Sequence, residues 1–233
     1  MNFKKKILCV IPARGGSRSV KNKNIRLLGG KPLIYYTINE ALKVNEILDV
    51  VVSTDNYKIA QISKKYEAKV PFIRPKILAT NNALSINVVK HSLEFMEKVN
   101  NIKYDYVLML QPTSPFRKSK HIKSAIKKLI SNKSDSVVSV VDVIGHHPYR
   151  MKIIKNNKLK NYIDQGYEDM RPRQKLPKVY IRNGAIYLNK RSVIIKQNQL
   201  VGKNVIPLIM SENDSINIDT YKDFLIAENV FKK

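Results

Sequence analysis

ILCVIPARGGSRSVKNKN, residues 7–24, opens with an unbroken apolar run from Ile7 to Ile11 and passes through Pro12 and Ala13 straight into a basic, glycine-bearing loop. A strand that is apolar at every position is buried on both faces, the habit of a parallel sheet covered by helices. In open sheets of that kind ligands bind beyond the carboxyl ends of the strands, so the loop after this strand is the first place to look for a site. Gly15 and Gly16 let the backbone approach a phosphate, exposed N–H groups cup it, and Arg14, Arg18, Lys21 and Lys23 neutralise it. The loop lacks GxGxxG, which excludes the dinucleotide fingerprint, and has no Gly-Lys-Ser/Thr, which excludes a P-loop. Taken alone it also has the composition of an ordinary basic surface loop.

The rest of the chain keeps the rhythm that this strand sets. Short β-branched runs at 50–53, 70–73, 106–110, 136–143, 185–188 and 205–208 alternate with helical periodicities. Ile34, Ile38, Ala41 and Leu42 share one helix face, as do Ile86, Val89, Leu93 and Met96. Ile122, Ile126 and Leu129 form a third stripe, and Phe224, Ala227 and Phe231 a closing one. This predicts an α/β fold, doubly wound around a mostly parallel sheet, in one domain over residues 1–233. Residues 145–178 break the pattern: they are polar and rich in Tyr and Lys, with Asn156-Asn157 marking a hairpin turn. Such an insertion cannot build a core of its own, so it lids a site or packs on a partner subunit.

Composition narrows the function classes. The 233 residues are 43% hydrophobic, enough for one large core, and no stretch approaches the length of a membrane span. The apolar run after Lys4-Lys5-Lys6 is too short for a secretory h-region. A single cysteine, Cys9, permits no intramolecular disulfide, which suits a reducing cytoplasm. The net charge of +25 admits a nucleic-acid partner. The lysines are spread over most segments instead of forming an arm or stripe, which fits a Lys-, Asn- and Ile-rich composition equally well. A positive field would also speed encounter with anionic small molecules.

Further ligand-facing positions follow the other strands. Arg74-Pro75 and Ser85 lead into a helix N-terminus, which favours an anion, and Gln111-Pro112-Thr113 follows the strand at 106–110. Asp219 precedes the last helix, where a carboxylate serves either as a Mg²⁺ ligand or as an N-cap. One cysteine and the spacing of the histidines argue against a zinc site, and none of His91, His121, His146 and His147 stands out as a general base.

With these segments in order, IPARGGSRSVKNKN, VVSTDN, RPKILATNNALS, LMLQPTSPFR, SVVSVVDVIGHHP, RPRQKLPKVYIRNGAIYL and MSENDSINIDT, the chain resembles the acylneuraminate cytidylyltransferases, the CMP–sialic acid synthetases, over nearly its whole length. The resemblance implies a Rossmann-like nucleotidyltransferase fold and a Mg²⁺-dependent cytoplasmic enzyme. It implies transfer of CMP from CTP to a nonulosonic acid of sialic or legionaminic type, with release of pyrophosphate. It also implies a homodimer, formed through an insertion like 145–178, with shared sites and neither membrane nor specific nucleic acid as partner. Arg14 and Lys23 would hold the triphosphate with Gly15, Ser17 and Asn24 beside them; Arg74 and Ser85 would bind the nucleotide, the serine reading the cytosine. Gln111, Thr113 and Tyr187 would face the sugar, Arg173 would reach the neighbouring subunit's sugar, and Asp219 would hold the metal. The departures from the family pattern are Ser19-Val20-Lys21 in the first loop, Asn81-Asn82, Arg182 directly before Asn183-Gly184, and Asn217, which leaves one carboxylate where the family has two. The alternatives are a CTP-dependent enzyme for an eight-carbon 3-deoxy-2-keto sugar acid and, from another class, a basic RNA-binding protein.

Overall fold

The computed structural model describes residues 5–17, 19–143 and 145–232. In chain order the elements begin with β1 (Ile7–Pro12), a short ribbon of β2 (Leu27–Leu28) and β3 (Lys31–Pro32), α1 (Leu33–Leu42), β4 (Ile47–Ser53), α2 (Tyr57–Lys65) and α3 (Ser85–Asn100). They continue with β5 (Tyr106–Met109), α4 (Ser119–Ser131), β6 (Ser136–Asp142), a hairpin of β7 (Lys152–Lys155) and β8 (Lys158–Asn161), and β9 (Tyr180–Lys190). The chain closes with α5 (Arg191–Ile195), β10 (Val205–Ile209) and α6 (Tyr221–Lys232).

The main sheet has the order β10-β6-β9-β5-β1-β4. β1 pairs in parallel with β4 and β5, β10 pairs in parallel with β6, and β9 alone runs against its neighbours. Alternate residues of β1 serve opposite layers. Ile7, Cys9 and Ile11 pack with Ile34, Ile38, Ile59 and Ile122 on the side of α1, α2 and α4. Leu8 and Val10 pack with Ile86, Val89, Leu93 and Ile194 on the side of α3 and α5. The sheet is therefore doubly wound, as the sequence periodicity indicates. A third cluster, Leu28, Leu33, Ile218, Phe224 and Ala227, seats α6 against the β2–β3 ribbon. No helix among the described residues is long and apolar enough to cross a membrane.

Two local expectations are corrected. Residues 70–73 form no strand: Lys69 makes an isolated parallel bridge to Val51 and the chain then leaves the sheet. Pro71 has no N–H to continue the ladder, and a central strand does not tolerate that loss. Leu42 does not share the buried face of α1, for it is 40% exposed while Ile34, Ile38 and Ala41 are fully buried.

The hairpin in 145–178 forms as the sequence suggests. Asn156 and Asn157 both adopt positive φ, 52° and 58°, the geometry a two-residue turn needs to match strand twist. His147 closes the base of the insertion, with Nδ1 accepting from the Tyr149 N–H at 3.2 Å and Nε2 3.0 Å from the Pro177 carbonyl. Between these ends Ile154, Leu159, Tyr167 and Met170 are exposed, and the hairpin makes a two-stranded sheet of its own.

Candidate active site

A cleft of about 490 Å³ opens at the carboxyl edge of β1 and β5. It is lined by Arg14, Ser17, Lys23 and Asn24 from the first loop, by Arg74, Thr80, Asn81 and Ser85 before and at the start of α3, by Gln111 and Thr113 after β5, and by Asp219. Three cations thus face one carboxylate, and the cleft is an electropositive place for an acidic ligand.

Hydrogen bonds between loops give the cleft its shape. The Gly15 N–H donates to Asp55 Oδ1 at 2.9 Å, and a Cβ on Gly15 would lie 2.9 Å from the Asn56 side chain, so the first loop is pressed onto the turn after β4. Asn24 Nδ2 donates to the Arg14 carbonyl at 2.9 Å. The Arg14 guanidinium then crosses the mouth and donates to Asn81 Oδ1 at 2.8 Å and to the Thr80 carbonyl at 3.2 Å. Lys23 Nζ donates to the Ile218 carbonyl at 2.8 Å and lies 3.5 Å from Asp219 Oδ1. Ser19 Oγ donates to the Asp219 carbonyl, and the Ile218 N–H donates to the Thr113 carbonyl at 2.8 Å. The first and last loops of the sheet are therefore stitched together around Asp219.

Arg74 is buried, and most of its hydrogen bonds stay within the fold. Nε donates to Ser53 Oγ at 3.0 Å, Nη2 to the Ser53 carbonyl, and Nη1 to the Leu78 carbonyl at 3.4 Å. Burial pushes its pKa down to about 10, opposed by Asp55 and reinforced by Arg14, so the group stays charged at neutral pH. The geometry is that of a clamp on the walls of the cleft, to which the sequence reading assigns direct contact with the nucleotide.

Gln111 is framed by a glycine. Between Arg182, opposite Val140, and Tyr187, opposite Val138, β9 places residues 183–186 against Ser139 alone. Within this bulge Gly184 has φ +76°, and a Cβ there would sit 2.5 Å from Gln111 Oε1. Only glycine combines that backbone with room for the carboxamide. Ser139 Oγ holds the bulge by accepting from the Ile186 N–H at 2.7 Å and donating to Asn183 Oδ1 at 2.6 Å.

Asp219 does not cap α6. Thr220 does: its Oγ1 accepts from the Asp223 N–H at 3.2 Å, while the Asp223 carboxylate accepts from the Thr220 N–H at 2.7 Å, a reciprocal capping box. The Asp219 carboxylate instead faces Lys23 and accepts from Asn217 Nδ2 at 2.5 Å, and Asn217 Oδ1 is buried with no partner among the described residues. The N-cap alternative raised by the sequence thus falls to the neighbouring residue.

Not every anticipated residue lines the cleft. Gly15 stands behind it, Lys21 is exposed and outside it, and Arg18 lies outside the described residues. Tyr187, paired with Met109 and Val138 on β9, packs towards the α3 layer. Arg173 is exposed in a short 3₁₀ turn of the insertion and does not reach the cleft of its own subunit. Ser19, Thr80 and Asn81 stand in segments that the sequence marks as ligand-facing but are given no role of their own there, because small polar residues in loops carry no periodic signal. The sequence reading also gives no role to Arg117, which Lys118 and Lys120 beside it make look like part of a solvated basic stretch.

The family model described as cytidylyltransferase matches residues 8–211. The chain belongs to the cytidylyltransferase family. This member is 35% identical to the CMP-N,N′-diacetyllegionaminic acid synthase of Legionella pneumophila over 97% of both chains. It is 32% identical to a pseudaminic acid cytidylyltransferase of Campylobacter jejuni, again over 97% of both. Among solved structures, a CMP:2-keto-3-deoxy-manno-octonic acid synthetase complexed with CTP superposes with a TM-score of 0.72 at 16% identity, over 98% of this chain and 99% of that one. At that identity the likeness is one of fold.

The capping geometry gives a stability prediction. Thr220→Ala should cost about 1 kcal/mol, the usual loss for an N-cap. Asp219→Asn should cost less than about 0.5 kcal/mol, since an exposed ion pair contributes little. Denaturant unfolding of both variants measures this, and a larger loss for Asp219→Asn would make its carboxylate part of the fold's support.

Proposed function

We propose that this cytidylyltransferase transfers CMP from CTP to the anomeric 2-hydroxyl of a nonulosonic acid and releases pyrophosphate. The observation that carries the reading is the convergence of Arg14, Lys23 and Asp219 on one cleft whose other wall is Gln111 and Thr113. The two cations suit a triphosphate, and the amide and hydroxyl suit a polyhydroxylated acceptor. Ser85, the first residue of α3, brings unpaired N–H groups and a hydroxyl to the same cleft, because the N-cap Leu84 offers no side-chain bond.

In the reaction the bond from the sugar's anomeric oxygen to the α-phosphorus forms as the bond to the pyrophosphate oxygen breaks, and the hydroxyl proton leaves to water. Little covalent work falls to the protein: it holds the two substrates in line and neutralises charge. Arg14 and Lys23 would meet the negative charge that builds up on the phosphates. Lys23, paired with Asp219 in the free protein, would turn to the triphosphate when CTP enters.

The residues present fit a magnesium ion. Asp219 offers an exposed carboxylate, and the unpartnered Asn217 Oδ1 lies in the same turn as a spare acceptor. Mg²⁺ commonly takes one or two protein carboxylates and fills its shell from phosphates and water. When bound, it supplies charge neutralisation on the leaving pyrophosphate.

The relatives named for legionaminic and pseudaminic acid support a nine-carbon acceptor of that class, and a cytoplasmic site of action follows from its CTP requirement. We further propose a homodimer formed through residues 145–178. The exposed Ile154, Leu159, Tyr167 and Met170 need a partner, and Arg173, remote from its own cleft, would serve the neighbour's.

With CTP and Mg²⁺, pyrophosphate should be released only when a nonulosonic acid is present. The panel is N-acetylneuraminic, N,N′-diacetyllegionaminic and pseudaminic acid, with 2-keto-3-deoxy-manno-octonic acid as the eight-carbon comparison. Arg14→Ala should lower kcat at least about 100-fold, the scale for one preorganised charge donor. Turnover with the eight-carbon acid alone, or equal turnover with ATP, would overturn the assignment.

Sedimentation at micromolar concentration should give the mass of a dimer. Mixing Arg14→Ala with Arg173→Ala subunits should restore activity, because one site of the heterodimer keeps both arginines. A fully active monomer, or no recovery after demonstrated subunit exchange, would contradict shared sites.

A further inference from the structure

Arg117 is the largest fully buried side chain, 1% exposed beneath the cleft wall and not part of its lining. Its Nη1 donates to the Gln111 carbonyl at 3.2 Å and to the Ala185 carbonyl at 3.0 Å, joining the end of β5 to the bulge of β9. Nε and Nη2 find no partner among the described residues. No carboxylate hydrogen-bonds it, and the charge of Glu40 offsets only part of its burial. Burial pushes the Cys9 thiol up to about 12, so it stays neutral, and Glu40 gives its oxygens to Lys43 and to the Ser119 N–H.

A guanidinium in an apolar interior, with two of its nitrogens unpartnered, is a costly way to hold a loop. Arginine supplies here the length to bring one nitrogen, Nη1, to two carbonyls from different strands at once, on a rigid planar group. Those carbonyls flank the Gln111 side chain: one is its own, and the other follows Gly184, whose missing Cβ leaves the 2.5 Å approach open to Gln111 Oε1.

We infer that Arg117 is a positioning residue for the acceptor half of the cleft, fixing the slot between β5 and the β9 bulge in which the Gln111 carboxamide is held. This rests on the reading of Gln111 as an acceptor contact. Arg117 touches neither substrate, and its effect passes through Gln111. CTP, held by Arg14 and Lys23 on the opposite side of the cleft, does not depend on it.

The test uses the full-length protein and whichever of N-acetylneuraminic, N,N′-diacetyllegionaminic or pseudaminic acid the wild type turns over best. Arg117→Lys keeps the charge and the donors, but its Nζ ends one bond short of the Nη1 position; Arg117→Met keeps the bulk and removes the donor. Both should lower kcat/KM for the acceptor about 10- to 100-fold, the range for a small misplacement of a substrate contact. The dissociation constant for CTP, measured by calorimetry without acceptor, should stay within about twofold, because a misplaced carboxamide leaves Arg14 and Lys23 untouched. Should Arg117→Met fail to fold, Arg117→Lys decides. Unchanged acceptor kinetics in a folded variant, or a parallel loss of CTP affinity, overturns the inference. Gln111→Ala separates the two readings: if it leaves acceptor kinetics unchanged, the assignment of Gln111 fails. If it impairs them while the folded Arg117 variants do not, the positioning role alone fails.

Discussion

The parallel pairing of Ile7–Pro12 on both of its edges is the constraint on which the molecule depends. A strand bonded to neighbours on two sides and covered on two faces must be apolar throughout, and Ile7 to Ile11 are at most 1% exposed. Parallel neighbours also end at the same edge of the sheet. Pro12 lies opposite Ser53, and Val10 opposite Met109, so the loops that leave these strands emerge side by side. The site follows from this: Arg14 and Lys23, the Ser53–Asp55 turn and Gln111 come together because their strands point the same way. The antiparallel β9 adds its bulge to that edge by arriving from the opposite direction.

Two buried guanidinium groups then set the distances between the loops. Arg74 ties Ser53 to Leu78 on one wall, and Arg117 ties Gln111 to Ala185 on the other. Both lose basicity by burial, each to about 10, and both remain cations at neutral pH. Loop carbonyls that would otherwise meet an apolar interior thereby gain donors, and such unsatisfied groups are costly. The wider charge of +25 would add a longer-range positive field to a cleft that already holds more cations than carboxylates.

Much of this was legible in the sequence, for definite reasons. Unbroken apolar strands and periodic helix faces are consequences of burial, so β1, β5, β6 and the buried faces of α1, α3 and α4 could be read directly. Asn156-Asn157 announced its turn because few residues accept positive φ. Loops carry no period, however, and there the reading depended on resemblance. The strand expected at 70–73 failed because its β-branched residues surround Pro71, whose missing donor outweighs their propensity. Arg74 could be placed near the cleft, but whether its bonds turn to ligand or to Ser53 is a tertiary matter. Asp219 and Thr220 are adjacent and both suited to capping, and only the geometry of Asp223 decides between them. Arg117 escaped notice because a charge beside Pro115-Phe116 looks like a surface residue until the fold buries it.

The central claim is that the cleft makes one phosphodiester to an acceptor sugar at the expense of CTP. ³¹P NMR of CTP, Mg²⁺ and N,N′-diacetyllegionaminic acid with the enzyme observes this directly. The account predicts that the three CTP resonances give way to one phosphodiester resonance and one pyrophosphate resonance in equimolar amounts. Growth of CDP with inorganic phosphate, of free CMP, or of no new resonance with any nonulosonic acid would contradict it.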